Sequence, residues 1–280
     1  MPQIKERLDK LLVDRGLAET RTRAQALIMA GKVKVDGERI TKAGTQLSPD
    51  HFIEVESVSL WASRGAFKLL KALDSFGIDV TNSICVDMGA STGGFTDVLL
   101  NRGCKKVYAV DVGYGQLHWR LASDARVVVM DRTNARNLTS GDFEDTIDFL
   151  TCDASFISLK LLLPAIDRVL SDSGGAVALI KPQFEVGRER LGRGGVVREP
   201  ELHIAAIEGV FTFIESETRL YTTNLTCSPL LGPEGNMEFL CHLQKEASGK
   251  KELDIAALVC EAHTEFVQST SRKKEPQESI

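Results

Sequence analysis

Asp87-Met88-Gly89-Ala90-Ser91-Thr92-Gly93-Gly94-Phe95 decides the fold of this 280-residue chain. Ahead of it runs Ile84-Cys85-Val86, short and apolar, which predicts a buried strand. Behind it, Thr96-Asp97-Val98-Leu99-Leu100 predicts the start of a helix. A glycine-rich strand-to-helix turn brings bare backbone N–H groups close to a ligand, because glycine has no Cβ in the way. A second predicted strand, Val107-Tyr108-Ala109-Val110, ends on Asp111, 22 positions after Gly89. That is the spacing of an acid that binds ribose hydroxyls, so a nucleoside-containing cofactor is expected.

The glycines follow Gly-x-x-x-Gly-Gly, which breaks the dinucleotide fingerprint, and no Gly-Lys-Ser/Thr follows to make a P-loop. Asp87 stands just before the first glycine, where a carboxylate repels a pyrophosphate but can help hold an ammonium or sulfonium group. This favours S-adenosylmethionine over NAD or ATP. The expected cofactor set is Asp87, Gly89, Ser91, Thr92, Gly93, Gly94, Phe95 and Asp111, with Asp131 or Asn134 facing the adenine. The competing readings are an ordinary βαβ turn with structural glycines and, for Asp131 and Asn134, plain capping.

From residue 64 the pattern alternates, with strands expected at 84–87, 107–111, 126–130, 147–152 and 176–181 and helices at 65–75, 95–102, 115–122 and 158–170. Such alternation implies a parallel sheet with helices on both faces. A helix (201–215), two strands (219–227 and 237–243) and a last helix (250–267) follow, and residues 269–280 are expected to be a disordered tail. Apolar content of 43% supports an ordinary core, and the net charge of −5 does not by itself mark a nucleic-acid binder. Residues 1–60 carry ten Lys/Arg against nine Asp/Glu, so any basic patch is local. The six cysteines form no Cys-x-x-Cys pair and read as reduced, buried thiols. There is no apolar signal region and no membrane-spanning run, and the histidines form no metal-like cluster. A cytoplasmic protein with no metal and no membrane partner is expected.

The amino-terminal stretch predicts a helix over 4–16, a second over Arg21–Met29 with Thr20 as N-cap, a strand entering the Asp36-Gly37 turn, and a strand at 52–55. Basic residues beside the two helices suit a phosphate backbone, a solvated helix face being the plainer alternative. The order Arg7-Leu8-Asp9-x-Leu11-Leu12, Gly16, Ala18, Thr20-Arg21, Ala24, Ala26, Ile28, Gly31-x-Val33-x-Val35-Asp36-Gly37 resembles the S4 RNA-binding domain, which recognises folded RNA through its helix pair. Candidate RNA contacts are Arg7, Arg15, Arg21, Arg23 and Lys32 here, and Arg64, Arg188 and Arg193 further on. The expected division is an S4 domain at 1–57, a linker at 58–63 and a large α/β domain at 64–268, with Trp61 as an interdomain packing anchor or a base-stacking platform.

In a doubly wound sheet, ligands bind at the carboxyl ends of the strands. Asp153 and Lys181 end the fourth and fifth predicted strands, Glu238 begins a later one, and Lys68 lies in the first helix of the domain. Two lysines and two acids around one cleft can satisfy each other, as a structural network or as a site. Together, Lys68, Asp153, Lys181 and Glu238 resemble the Lys-Asp-Lys-Glu tetrad of FtsJ-like ribose 2′-O-methyltransferases. Ser63-Arg64-Gly65-Ala66-x-Lys68-Leu69, Asp153-Ala154-Ser155-Phe156-Ile157-Ser158 and Lys181-Pro182-Gln183-Phe184-Glu185-Val186-Gly187 resemble the TlyA family, often labelled haemolysins. The resemblance implies a Rossmann-like class I methyltransferase fold and transfer from S-adenosylmethionine to a cytidine ribose 2′-hydroxyl of ribosomal RNA or ribosomal subunits. It also implies Lys181 as base, Lys68 orienting the hydroxyl, and the two acids positioning the lysines.

A base amino-methyltransferase wants Asn/Asp-Pro-Pro-aromatic after the fourth strand, where this chain has Asp153-Ala154-Ser155-Phe156. A carbon-5 pyrimidine enzyme wants a nucleophilic cysteine, and Cys152 lacks the Pro-Cys context. An RNA-binding ribosome-assembly factor with a non-catalytic cofactor site is the alternative from another class. Residues 187–198 hold four arginines and four glycines and are expected to be a flexible loop that orders on RNA, an ordinary solvated loop being the plainer alternative.

Overall fold

The computed structural model describes residues 5–18, 20–55, 61–192, 194–245 and 253–272. The chain divides into two units, Met1–Leu60 and Trp61–Ile280. Residues 58–60 of the expected linker and 273–280 of the expected tail lie outside the described residues.

The first unit starts with β1 (Glu6–Arg7), α1 (Leu8–Asp14) and α2 (Arg21–Met29). Thr20 caps α2 by accepting a hydrogen bond from the Arg23 N–H, which satisfies one of the donors a helix start leaves open. Next come β2 (Val33–Val35), β3 (Glu38–Ile40), β4 (Gln46–Leu47) and β5 (Ile53–Val55). β2 sits between β3 and β5, antiparallel to both, and β1 pairs with β4. Asp36 and Gly37 both take positive φ (49° and 83°), the two-residue turn whose twist suits a hairpin. Leu8, Leu11 and Leu12 of α1 pack on Leu27 and Ile28 of α2 and on Val33 and Val35.

The second unit carries α3 (Ala66–Phe76), β6 (Ile84–Met88), α4 (Gly94–Asn101), β7 (Lys106–Val110), α5 (Trp119–Ala122), β8 (Val127–Met130), β9 (Ile147–Cys152), α6 (Leu163–Val169), β10 (Leu170–Ile180), α7 (Pro200–Glu217), β11 (Tyr221–Cys227), β12 (Phe239–Gln244) and α8 (Ile255–Arg272). The seven strands order as β11-β12-β10-β9-β6-β7-β8. β12 runs antiparallel to both neighbours, so the sheet is mixed and not the purely parallel one that the alternation implied. From β6 the order runs to β7 and β8 on one side and to β9 and β10 on the other, which opens a crevice at the strand ends. Successive residues of β6 feed opposite faces. Ile84, Val86 and Met88 join the core under α6, α7 and α8, while Cys85 joins the one under α3 and α4.

Some expected elements are redrawn. The 115–122 helix shortens to the single turn of α5 behind a loop, and the 158–170 helix breaks into a short 3₁₀ turn and α6. α8 continues through Arg272, so residues 269–272 are helical and not part of a disordered tail. Cys85, Cys104, Cys152 and Cys241 are buried, but Cys227 is half-buried and Cys260 exposed. Trp61 packs at the edge of the α3/α4 core. Among the described residues no helix is long and apolar enough to cross a membrane, and no group of His, Cys, Asp and Glu could hold a metal ion.

Candidate active site

The turn after β6 approaches the end of β9 very closely. Gly89 takes φ 82°, and a Cβ there would stand 3.0 Å from the Asp153 carbonyl oxygen, which is backbone and cannot yield. Beside it lies a cavity of about 540 Å³ whose lining includes Gly89, Ser91, Asp111, Asn134, Asp153 and Phe156. Asp111 follows β7, and its carboxylate accepts the Ser91 N–H at 2.8 Å and the Gly113 N–H at 2.7 Å. A carboxylate has about four acceptor positions, so these bonds fix Asp111 and still leave acceptor capacity for a diol.

The rest of the expected cofactor set does not line this cavity. Asp87 is buried on the other side of the turn, where it accepts the Thr96 N–H (2.9 Å), the Thr96 hydroxyl (2.7 Å) and the Thr151 hydroxyl (2.9 Å). Burial pushes its carboxyl up to about 6, against the pull of those hydrogen bonds. Asp87 therefore ties α4 and β9 to β6, and Asp111 and Asp153 are the acids on the cavity wall. Gly93 makes room for Leu117 and Leu121, Gly94 for Ser63, and Phe95 is in the core. Thr92 accepts the His118 N–H with its carbonyl. Asp131 accepts the Gly115 N–H at 2.8 Å, which ties the turn after β8 to the loop ahead of α5. Asn134 does both: it lines the cavity and its side-chain oxygen accepts the Arg136 N–H at 3.1 Å.

Four residues distant in sequence meet at the mouth of the crevice. Lys68, one turn into α3, places Nζ 2.6 Å from Glu238 Oε2 and 3.4 Å from Asp153 Oδ2. Lys181, just past β10, places Nζ 2.6 Å from Asp153 Oδ1 and donates to Ser155 Oγ at 2.8 Å. The result is a chain, Glu238–Lys68–Asp153–Lys181–Ser155, with Asp153 shared between the lysines. The lysine and Glu238 side chains are nearly or fully buried, and burying such charges is tolerable because each faces an opposite one. Burial pulls the Lys68 pKa down, but the charges of Asp153 and Glu238 outweigh it and hold the ammonium form above its usual range.

A second cavity, of about 460 Å³, opens on the other side of Ser155, Phe156 and Ile157, and Lys181, Phe184 and Glu238 are in its lining. Ser155 and Phe156 thus border both cavities. Phe156 is 93% exposed at φ 64°, with its ring 5.8 Å from that of Phe184. A phenylalanine held at positive φ with its ring in water is costly in two ways. Neither residue was singled out from the sequence, although both follow a strand end that carries an expected site residue. Glu185 braces the same wall, accepting the Ser158 hydroxyl and the Leu159 N–H, each at 2.7 Å.

The expected RNA contacts divide. Arg7 and Arg21 converge on Asp9, while Arg23, Lys32 and Arg64 are exposed. Arg15 is exposed as well, and its guanidinium donates to the Pro49 and His51 carbonyls. Arg193 and the Arg188 side chain lie outside what is described. Part of the 187–198 loop is anchored, with Val197 buried and its N–H donated to Asn236 Oδ1 at 2.9 Å.

Residues 61–245 match the FtsJ-like methyltransferase family and residues 6–53 the S4 domain. The chain is 46% identical to the 16S/23S rRNA (cytidine-2′-O)-methyltransferase TlyA of Mycobacterium tuberculosis, over 86% of this chain and 90% of that one. It is also 46% identical to YqxC of Bacillus subtilis, which bears an rRNA-methyltransferase name, over 94% and 96% of the two chains. A solved structure described as a hemolysin from Streptococcus thermophilus superposes with a TM-score of 0.74 at 43% identity, covering 96% of this chain and 99% of that one.

Proposed function

This chain belongs to the FtsJ-like methyltransferases that carry an S4 domain, the TlyA family, and on that premise we propose that it methylates a cytidine ribose 2′-hydroxyl of ribosomal RNA, with S-adenosylmethionine as donor. The observation that carries the reading is the Glu238–Lys68–Asp153–Lys181 chain between two adjoining cavities.

The 540 Å³ cavity fits the donor. Gly89 leaves room for close approach, Asp111 suits the ribose hydroxyls, and Ala135, Ala154, Ile157 and Leu162 give apolar wall for a purine. Bound S-adenosylmethionine supplies an electrophilic methyl group on a sulfonium sulfur. The second cavity takes the acceptor nucleotide, with its ribose at Lys181 and Ser155.

A ribose hydroxyl is a weak nucleophile until its proton is taken or strongly polarised. Lys68, flanked by two carboxylates, stays an ammonium and orients the hydroxyl by donating to it. Lys181 is the base. Lys181 donates to Ser155 Oγ at 2.8 Å and stands 2.6 Å from Asp153 Oδ1, which leaves one tetrahedral position of its nitrogen to receive the hydroxyl proton. Asp153 holds both lysines at once, and Glu238 holds Lys68 from behind. Fixing nucleophile and donor in line accounts for a large part of the rate.

The test uses methyl-labelled S-adenosylmethionine with purified protein and unmodified ribosomal RNA or subunits, the label then being mapped to base or ribose. The expected result is label on a cytidine ribose, lost in Lys181→Ala while RNA binding is retained. Label on a base would overturn the tetrad mechanism. RNA binding without any transfer would favour the assembly-factor alternative.

A further inference from the structure

The amino-terminal unit holds a second buried carboxylate that the methyl-transfer reading does not use. Asp9 lies in the first turn of α1, fully buried. It accepts Arg7 Nε at 3.0 Å and Arg7 Nη2 at 2.9 Å, Arg21 Nε at 3.1 Å and Gln25 Nε2 at 2.8 Å. Four donors fill the capacity of one carboxylate. The Arg7 hydrogen bonds hold the Asp9 carboxyl well below the usual range, against the upward push of burial, with Gln25 and Arg21 adding to them.

The arginines are held differently from the acid. Their side chains are 43% and 57% exposed. Arg7 grips Asp9 with Nε and Nη2, which turns Nη1 away, and Nη1 lies across bare backbone: a Cβ on Gly44 would come within 3.3 Å of it. Arg21 grips through Nε alone, so its terminal nitrogens are clear of the Asp9 contact. One buried anion therefore fixes two half-exposed cations, and the trio keeps a net positive charge. A planar guanidinium fixed on one edge still offers donors on the other, which suits a phosphate oxygen pair.

We propose that Asp9 is a positioning residue: it aligns Arg7 and Arg21 into a two-arginine site for a phosphodiester group of RNA. This rests on the reading of the protein as one that acts on RNA. The alternative, that Asp9 merely pins α1 to α2, makes an opposite prediction about binding. Removing a buried anion makes the unit more positive, which on charge alone strengthens RNA binding and steepens its salt dependence. Loss of alignment weakens both.

The experiment measures binding of deproteinised, unmodified ribosomal RNA to the full chain across a series of KCl concentrations, with thermal unfolding of each variant alongside. Asp9→Asn is expected to bind roughly tenfold more weakly, the size of a lost charge-assisted contact, and with a shallower salt slope. Arg7→Lys keeps the charge but loses the fork, and it is expected to shift binding the same way. In Arg7→Gln/Arg21→Gln, adding Asp9→Asn is expected to cost nothing more, because neighbours that act as a unit are not additive. If Asp9→Asn fails to fold, Arg7→Lys decides. Binding of Asp9→Asn or Arg7→Lys equal to or tighter than that of the unaltered protein overturns this inference alone. Failure of the unaltered protein to bind overturns the RNA reading with it.

Discussion

Asp153 in the catalytic unit and Asp9 in the S4 unit are built on one plan, an acid that holds two cations, yet they hold opposite kinds. Asp153 grips two lysines whose side chains are 10% and 6% exposed. Asp9 grips two arginines whose side chains are 43% and 57% exposed. Lysine can lose its proton and arginine cannot, so the pairing sorts by task. A site that must take a proton needs a titratable amine away from water. A site that only has to meet phosphate needs permanent charges at the surface, already aligned.

The largest expected effect separates the two acids directly. Asp153→Asn leaves Lys68 and Lys181 side by side without their shared anion. Methyl transfer is expected to fall roughly 10²- to 10³-fold, as when one preorganised polar group is removed. RNA affinity is expected to stay within about twofold, since the acid makes no surface contact to lose. Parallel assays of transfer and RNA binding check this, and an equal loss in both would break the division between catalysis and binding.

Phe156 tests the border between the tasks, because it is an exposed aromatic inside the catalytic unit. Its exposed ring near Phe184 is a surface on which an unstacked base can lie. Phe156→Ala is expected to raise KM for RNA roughly tenfold, the size of one base–aromatic stack, with a smaller change in kcat. A fall in kcat alone would make Phe156 a part of the reaction geometry instead.

The cofactor turn was legible because everything it needs is local: a strand, a glycine that lets backbones approach, and an acid ending the next strand. The direction of Asp87 was not taken from the same pattern, although strand alternation puts it with Cys85 on the α4 side of β6, away from the crevice. The tetrad came from a resemblance. No spacing among positions 68, 153, 181 and 238 says that they meet, because the order β12-β10-β9-β6 brings the last three strand ends together. Asp9 was missed for the opposite reason. A charged residue in the first turn of an amphipathic helix reads as solvated, and only the contacts of Arg7, Arg21 and Gln25 make its burial possible.

The two sites should also differ in their response to pH. The Asp9 carboxyl is depressed by Arg7 hydrogen bonding, so its contribution is fully present above its unfolded value near 3.9 and is lost only as pH falls through the depressed one. RNA binding is therefore expected to be flat between about pH 6 and pH 9. Lys68 is raised, so its contribution is fully present below about 10.5 and is lost above it. It stays charged throughout that window, so an increase of transfer with pH is not the titration of Lys68. Burial pushes His203 and His242 down to about 4, with the His263 charge adding to the effect on His203, so neither contributes a step there. Single-turnover rates and RNA binding on the same pH series check this, and a binding curve that tracked the rate would break the contrast.

The smallest expected effect concerns an arginine that neither acid holds. Arg15 is exposed and basic like Arg7 and Arg21, but its guanidinium donates to the Pro49 and His51 carbonyls. Those bonds tie the end of α1 to the stretch before β5 and leave the fork facing its own chain. If alignment matters and positive charge alone does not, Arg15→Gln should change RNA affinity by less than about twofold while Arg21→Gln changes it severalfold, although both remove one charge. The cost of Arg15→Gln should appear in the thermal stability of the S4 unit, at about 0.5–1.5 kcal/mol for hydrogen bonds of this kind. Equal losses from the two variants would mean that the RNA reads the summed charge of the unit, and the buried acid at position 9 would then have no part in recognition.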